Sequence, residues 1–167
     1  MNRWIKVLLG VSVISMNISC DQITKSIVRS QVNPGEMIPV IKNYLTLTNI
    51  ENTGAFLSLG ESWLAPVKMF FLMLLPVVFI LFGLYYMVRF SNRSIVLIIS
   101  IAFVIGGGIG NMIDRFKFKS VTDFLHLDFG IVQTGIFNMA DVSIVIGIIS
   151  LFYCHSQNYF HTEESSS

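Results

Sequence analysis

Four long apolar runs separated by polar stretches dominate the chain. Residues 64–88, "LAPVKMFFLMLLPVVFILFGLYYMV", form the strongest; 94–113 and 136–155 follow, and an earlier run opens at Trp4. Runs of about 19–25 residues, at ~1.5 Å rise per residue, are long enough for a hydrocarbon core of ~30 Å. The pattern therefore predicts an all-α membrane protein in one domain, 1–167, with transmembrane helices over about 4–28, 64–88, 94–113 and 136–155. Pro76 falls inside the second span, where a membrane helix tolerates it better than a soluble one does.

The polar stretches divide into two long loops, about 29–63 and 114–135, and a short link, about 89–93. Two crossings separate the long loops, so they share one side, opposite the link and both termini. Arg3, Lys6, Arg89 and Arg93 on the link side favour the cytoplasm there. Lys25, Arg29, Lys42, Arg115, Lys117 and Lys119 on the other side weaken that bias. Within the first loop, "KNYLTLTNIENTGAF" alternates Tyr44, Thr46 and Thr48 with Leu45 and Leu47, a strand pattern. Asn33-Pro34-Gly35 before it reads as a turn. "VTDFLHLDFGIVQ", 121–133, is a second extended candidate. A small extracytoplasmic β-rich element is expected from these loops, and the polar tail "HTEESSS" is expected to fray.

Composition agrees with a lipid surrounding. The 167 residues are 53% hydrophobic and 13% charged, against about a quarter charged in soluble domains. Mean hydropathy is +0.70. A net charge of +1 gives no basis for nucleic-acid binding. The stretch "SVISMNISCDQITK", 12–25, superficially matches a lipoprotein signal cut before Cys20, but polar Asn17 occupies the position three before that cysteine. The helical pattern also continues through Ile23, Ile27 and Val28, so the segment is read as a permanent span. Cys20 and Cys154 are too far apart in depth to form a disulfide.

The informative residues are polar ones at membrane depth: Asp21, Asn52, Asn111, Asp114, Arg115, Asp123, Asn138 and Asp141. Carboxylates in or near spans are costly and are functional candidates by default. With this topology all eight gather at one end of the bundle. Asp21 and Lys25, four apart, can pair along a helix; Asp114 beside Arg115 suggests a structural ion pair. Asp141 has no basic residue within four positions, so a partner must come from elsewhere in the fold. Asp123, in the loop before the last span, can fold back over the bundle mouth. Two carboxyl groups brought close share one proton, so that one takes a proton from water while the other donates to a carbonyl oxygen: peptide hydrolysis by an aspartic dyad. "GGGIGN" lacks a preceding strand, so its Gly106 and Gly110 read as close helix packing and not as a dinucleotide loop. His126 and Asp128 alone are too few for a metal site.

Five segments, in order, resemble the motifs of the lipoprotein signal peptidases, the signal peptidase II family of bacterial intramembrane aspartic proteases. They are "DQITK" at 21–25, "NTGAFLS" at 52–58, "GGGIGNMIDR" at 106–115, "VTDF" at 121–124 and "FNMADVS" at 137–143. The second departs from the family pattern where Ala55 is followed directly by Phe56. The resemblance implies removal of the signal peptide from prolipoproteins whose cysteine carries diacylglycerol, with the cut just before that cysteine. It implies Asp123 and Asp141 as the catalytic pair. Asp21, Lys25, Asn52, Gly54, Asn111, Asp114, Arg115, Asn138 and Ala140 match further motif positions, as substrate-binding or dyad-supporting residues. No metal and no cofactor are expected. Partners would be prolipoprotein substrates and membrane lipid, and the chain is expected to act as a monomer in the bacterial inner membrane, its site near the outer face. The alternative, a small proton-coupled transporter, would need carboxylates spread through the membrane depth. A non-catalytic assembly factor would leave the paired Asp123 and Asp141 unexplained.

Overall fold

The computed structural model describes residues 2–42, 44–54, 62–91 and 93–164, with side chains as far as Ser156. The unusual Ala55-Phe56 step and the end of the polar tail lie outside these residues. Among the described residues four helices are long and apolar enough to cross a membrane. The first, α1 (Arg3–Gln31), starts where the Asn2 side chain accepts a hydrogen bond from the Trp4 amide at 3.1 Å, as an N-cap should. It passes Cys20 without interruption and ends three residues beyond the expected 28.

The second helix, α2 (Ala65–Arg89), contains one π-helical turn, Phe70–Leu74. Pro76 explains where it sits: proline has no amide hydrogen, and its ring collides with the carbonyl four residues earlier. The widened turn lets Pro76 occupy the first turn of the regular stretch Leu75–Arg89. The third helix, α3 (Ile95–Phe118), is capped by Ser94, whose Oγ accepts from the Val96 amide. It runs five residues past the expected end at 113 and stops at Lys119 in the left-handed region, φ 65°. The last, α4 (Met139–Glu164), begins three residues after the expected 136.

Those displaced boundaries have a common cause, a four-stranded antiparallel sheet made from both loops. Its strands β1 (Met37–Ile41), β2 (Leu45–Asn52), β3 (Val121–Asp128) and β4 (Gln133–Phe137) lie in that order. The Asn33-Pro34-Gly35 turn precedes β1, with Gly35 at φ 76°. The stretch 121–133, expected as one extended segment, is instead most of a hairpin. Asp128 Oδ1 accepts the Gly130 amide at 2.7 Å and Gly130 has φ 80°, a reversal only glycine adopts easily. The chain turned back there supplies β4 from the end of the expected outer loop and the first two residues, Ile136 and Phe137, of the expected last span.

Pairing of β2 with β3 joins the two loops, with Ile50 opposite Asp123 and Asn52 opposite Val121. The sheet is fastened to the end of α1 by Val28, Val32 and Phe124, with Ile38, Leu47, Leu125 and Met139 around them. Below it, Ile14, Met87, Ile98, Ala102 and Ile105 form the buried centre of the bundle. Many other large apolar side chains, such as Phe79, Leu81, Phe82 and Phe152, face outward, as expected where the solvent is lipid.

Helix α3 is central, packing on α1, α2 and α4. Its glycines permit this. A Cβ on Gly107 would lie 2.3 Å from the Ala140 carbonyl oxygen of α4, and one on Gly106 would lie 2.8 Å from Asn17 Cβ of α1. A Cβ on Gly110 would lie 2.6 Å from Asp21 Oδ2. The spacing of Gly106 and Gly110 thus serves close helix contact and, at Gly110, brings Asp21 against the helix.

Candidate active site

The start of α4 positions Asp141. Asn138 precedes the helix, and its Oδ1 accepts the Asp141 amide at 3.0 Å while Asp141 Oδ2 accepts the Asn138 amide at 3.2 Å. This reciprocal pairing is a capping box, which satisfies two otherwise orphaned donors. A further first-turn donor, the Ala140 amide, reaches across to Asp21 Oδ1 on α1 at 3.0 Å. The other oxygen, Asp141 Oδ1, accepts from Asn111 Nδ2 of α3 at 2.9 Å.

Asp123 comes from β3 and is almost fully buried. Its two oxygens each accept an amide: Oδ2 from Asn52 Nδ2 at 2.8 Å and Oδ1 from Asn138 Nδ2 at 2.6 Å. Asn52 is held by its side-chain oxygen Oδ1, which accepts the Gly54 amide at 2.8 Å. Asn138 is therefore the joint between the carboxylates: its side chain binds Asp123, and its backbone amide binds Asp141. Burial pushes the Asp123 carboxyl up to about 6, with the neighbouring Asp141 charge adding to the rise; hydrogen bonds from Asn52 and Asn138 and the charge of Lys25 act against it.

Behind the pair lies a buried ion network. Lys25, with no exposed surface, reaches Asp21 Oδ2 at 2.8 Å, Asn111 Oδ1 at 3.0 Å and Asp114 Oδ2 at 3.1 Å. Three acceptors match the three protons of an ammonium. Asn111 Oδ1 also accepts from Asn138 Nδ2 at 3.2 Å. With two donors on its oxygen, Asn111 must present its NH₂ end to Asp141.

The expected ion pair of Asp114 with its sequence neighbour Arg115 does not form, because adjacent residues on a helix point in different directions. Asp114 binds Lys25, Arg29 at 3.1 Å and the Thr122 amide at 3.3 Å. Arg115 instead donates to the Gly54 carbonyl at 3.2 Å. Sequence reasoning missed Gln22 as well as Arg29. Gln22 Nε2 lies 3.2 Å from Asp21 Oδ2, 3.1 Å from Gly110 O and 3.2 Å from Asp114 Oδ1, and Arg29 also stacks over Phe118 at 3.9 Å. Arg29 follows Asp21 and Lys25 on α1 at steps of four, so the helical period was the available signal for it. All eleven sequence candidates, from Asp21 to Asp141, thus gather at one end of the bundle.

Asp141, Asn111 and Arg115 border a cavity of about 340 Å³ between α2, α3 and α4, otherwise walled by apolar groups including Phe71, Leu72, Pro76 and Ile144. It shares Pro76, Gly108 and Ile144 with a second cavity of about 260 Å³. That cavity in turn shares Phe79, Val104 and Ile105 with a third, of about 420 Å³. Together they trace an apolar groove from the carboxylates along the helices.

Cys20 is exposed and unbonded, one residue ahead of Asp21. Cleavage before it would detach the α1 turns that pack Ile14 into the bundle. Cys20→Ala is therefore expected to leave folded yield and turnover unchanged, and intact-mass measurement should find residues 1–20 retained. Lipid on Cys20, or loss of the first nineteen residues, would contradict this.

Comparison with known proteins places the chain in a family and agrees with the fold. The family described as signal peptidase (SPase) II matches residues 13–156. A lipoprotein signal peptidase of Bacillus velezensis is 36% identical over 136 residues, 81% of this chain and 85% of that one. A bacterial membrane enzyme solved by the in meso method at 2.3 Å superposes with a TM-score of 0.79 at 24% identity, over 90% of this chain and 89% of that one. A second, solved at 1.9 Å, gives 0.75 at 23% identity, over 87% and 91%. At these identities the two structures speak for the fold.

Proposed function

The chain belongs to the signal peptidase II family and is a multi-pass bacterial membrane protein; from that premise we propose that it is an intramembrane aspartic endopeptidase. Its substrates are diacylglyceryl-modified prolipoproteins, and it cuts immediately before the lipidated cysteine. The observation that carries this reading is the joining of Asp123 and Asp141 through Asn138, beside an apolar groove.

The chemistry needs a water between the two carboxyls and the scissile carbonyl beside them. The ionised carboxylate takes a proton from the water as its oxygen attacks the carbonyl carbon. The protonated partner gives its proton to the carbonyl oxygen. Collapse of the tetrahedral species then breaks the C–N bond: the first carboxyl passes its proton to the leaving amine, and as the C=O bond re-forms the second carboxylate takes back a hydroxyl proton, restoring the pair. Asn52, Asn111 and Asn138 fix the carboxylates in place, which matters because small misplacements of reacting groups are costly. The apolar run of a signal peptide would lie in the groove, reaching the pair sideways from lipid. Arg3, Lys6, Arg89 and Arg93 support termini in the cytoplasm, with the site near the outer face of the inner membrane. The carboxylates cluster at one end of the bundle, which argues against a proton path through the membrane.

A pH profile tests the shared proton. The Asp123 value of about 6 is a raised one, so the proton is held below that pH and lost above it. With both members ionised the pair has no acid. On cleavage of a lipidated prolipoprotein, kcat/KM should decline as pH rises through about 6, and decline again at low pH when the pair takes a second proton. A profile that stays flat through that window would rule the pair out.

A further inference from the structure

The geometry points to a second ligand site, for the phosphate of an anionic phospholipid, on the far side of Arg115 from the carboxylates. A cavity of about 320 Å³ opens between the start of α2 and the end of α3. It is separate from the apolar groove but touches the same wall, Leu72 and Arg115. Its cationic lining is Lys68, Arg115 and Lys119; its apolar lining includes Met69, Leu72 and Met73. No carboxylate lines it among the described residues. Lys68 and Lys119 form no ion pair or side-chain hydrogen bond among the described residues.

That lining differs from the rest of this end of the bundle. Lys25 and Arg29 are matched by Asp21, Asp114 and Glu51. Around this cavity Arg115 is held by the Gly54 carbonyl and faces the Asp141 and Asp123 carboxylates, whereas Lys68 and Lys119 have no anionic partner among the described residues, beside thioethers and a leucine. Three cations converging on one recess call for an anion, and oxyanions such as phosphate accept several charge-assisted hydrogen bonds at once. The depth fits a headgroup. The cavity lies at the ends of two spans, and Trp63, tilted against Phe71 with ring centroids 5.4 Å apart, precedes α2 where interfacial tryptophans occur. Its volume is near the lower end of small-ligand pockets, roughly 300–1,000 Å³, enough for a glycerophosphate headgroup. The acyl chains would run down the outward-facing apolar side of α2, where Met69 and Phe70 are exposed.

The test separates phosphate from chains. Purified full-length protein, stripped of lipid in detergent, is titrated in native mass spectrometry with three probes: phosphatidylglycerol, diacylglycerol with the same chains, and glycerol 3-phosphate. The wild type should retain one phosphatidylglycerol, and neither diacylglycerol nor glycerol 3-phosphate at equal concentration. Lys68→Gln/Lys119→Gln should weaken phosphatidylglycerol retention roughly 25-fold, about fivefold for each lysine, with an unchanged melting temperature in lipid-free detergent. Equal retention of diacylglycerol would overturn the phosphate assignment. Equal retention of glycerol 3-phosphate would overturn the lipid one. A double variant that is folded and binds phosphatidylglycerol like the wild type would overturn the site itself. The readout is binding alone, so it stands or fails independently of the proposed peptidase activity.

Discussion

Asp141→Asn should lower turnover of a lipidated prolipoprotein by about 10²–10⁴-fold, the usual worth of a positioned acid or base, and Asp123→Asn should do the same. An amide can neither take the water's proton nor share one with a partner carboxyl, so losing either member disables both roles. The double variant should be no slower than the worse single, because residues acting as a unit are non-additive. The structure adds a complication. Both oxygens of each carboxylate accept N–H donors: Asn52 and Asn138 at Asp123, Asn111 and the Asn138 amide at Asp141. An asparagine must turn its NH₂ toward one of them, at a cost of about 1–3 kcal/mol. Melting curves should therefore show both variants folded but somewhat weakened, and rates must be compared on folded protein. If Asp141→Asn turns over within a few-fold of the wild type, the catalytic carboxyl is not Asp141.

Lys25→Met should be the most destabilising single change in the site. It leaves the buried carboxylates of Asp21 and Asp114 short of their common cation, and breaking a buried ion pair from one side costs about 3–5 kcal/mol. It also removes one of the two donors holding Asn111 Oδ1. The Asn111 amide can then rotate, and Nδ2 leaves Asp141. Adding Asp21→Asn removes one of the stranded charges and should recover part of the stability. Turnover should stay low, since Asn111 Oδ1 still lacks the Lys25 donor and keeps only that of Asn138. Thermal melting in detergent alongside steady-state rates separates the two effects. Lys25→Met that melts with the wild type and cleaves normally would show the network to be dispensable.

The spans were readable because a helix in lipid must be apolar over its whole length, a signal that survives without any knowledge of tertiary contacts. The site was readable for a related reason: carboxylates and amides are rare at membrane depth, so Asp21, Asn111, Asp114 and Asp141 stood out against their surroundings. Their partners were less legible. Asp114 was assigned to Arg115 by adjacency, whereas Lys25 and Arg29 approach it from another helix through contacts that no local spacing encodes. The start of α4 was placed at 136 from hydrophobicity alone. Asn138 and Asp141, three apart, already carried the capping signature that fixes Met139 as the first helical residue. β4 was hidden for a similar reason. Its five residues, "QTGIF", are too few to show a period, and only pairing with β3 makes them a strand.

Product masses test the central claim most directly. Purified protein is incubated with a diacylglyceryl-modified prolipoprotein, with the same precursor lacking the lipid, and with Asp141→Asn as the control enzyme. The account predicts one cut, immediately before the lipidated cysteine, giving an intact signal peptide and a lipoprotein that begins at that residue, from the modified precursor and the wild-type enzyme only. Cleavage at another bond, or equal cleavage of the unmodified precursor, would contradict it.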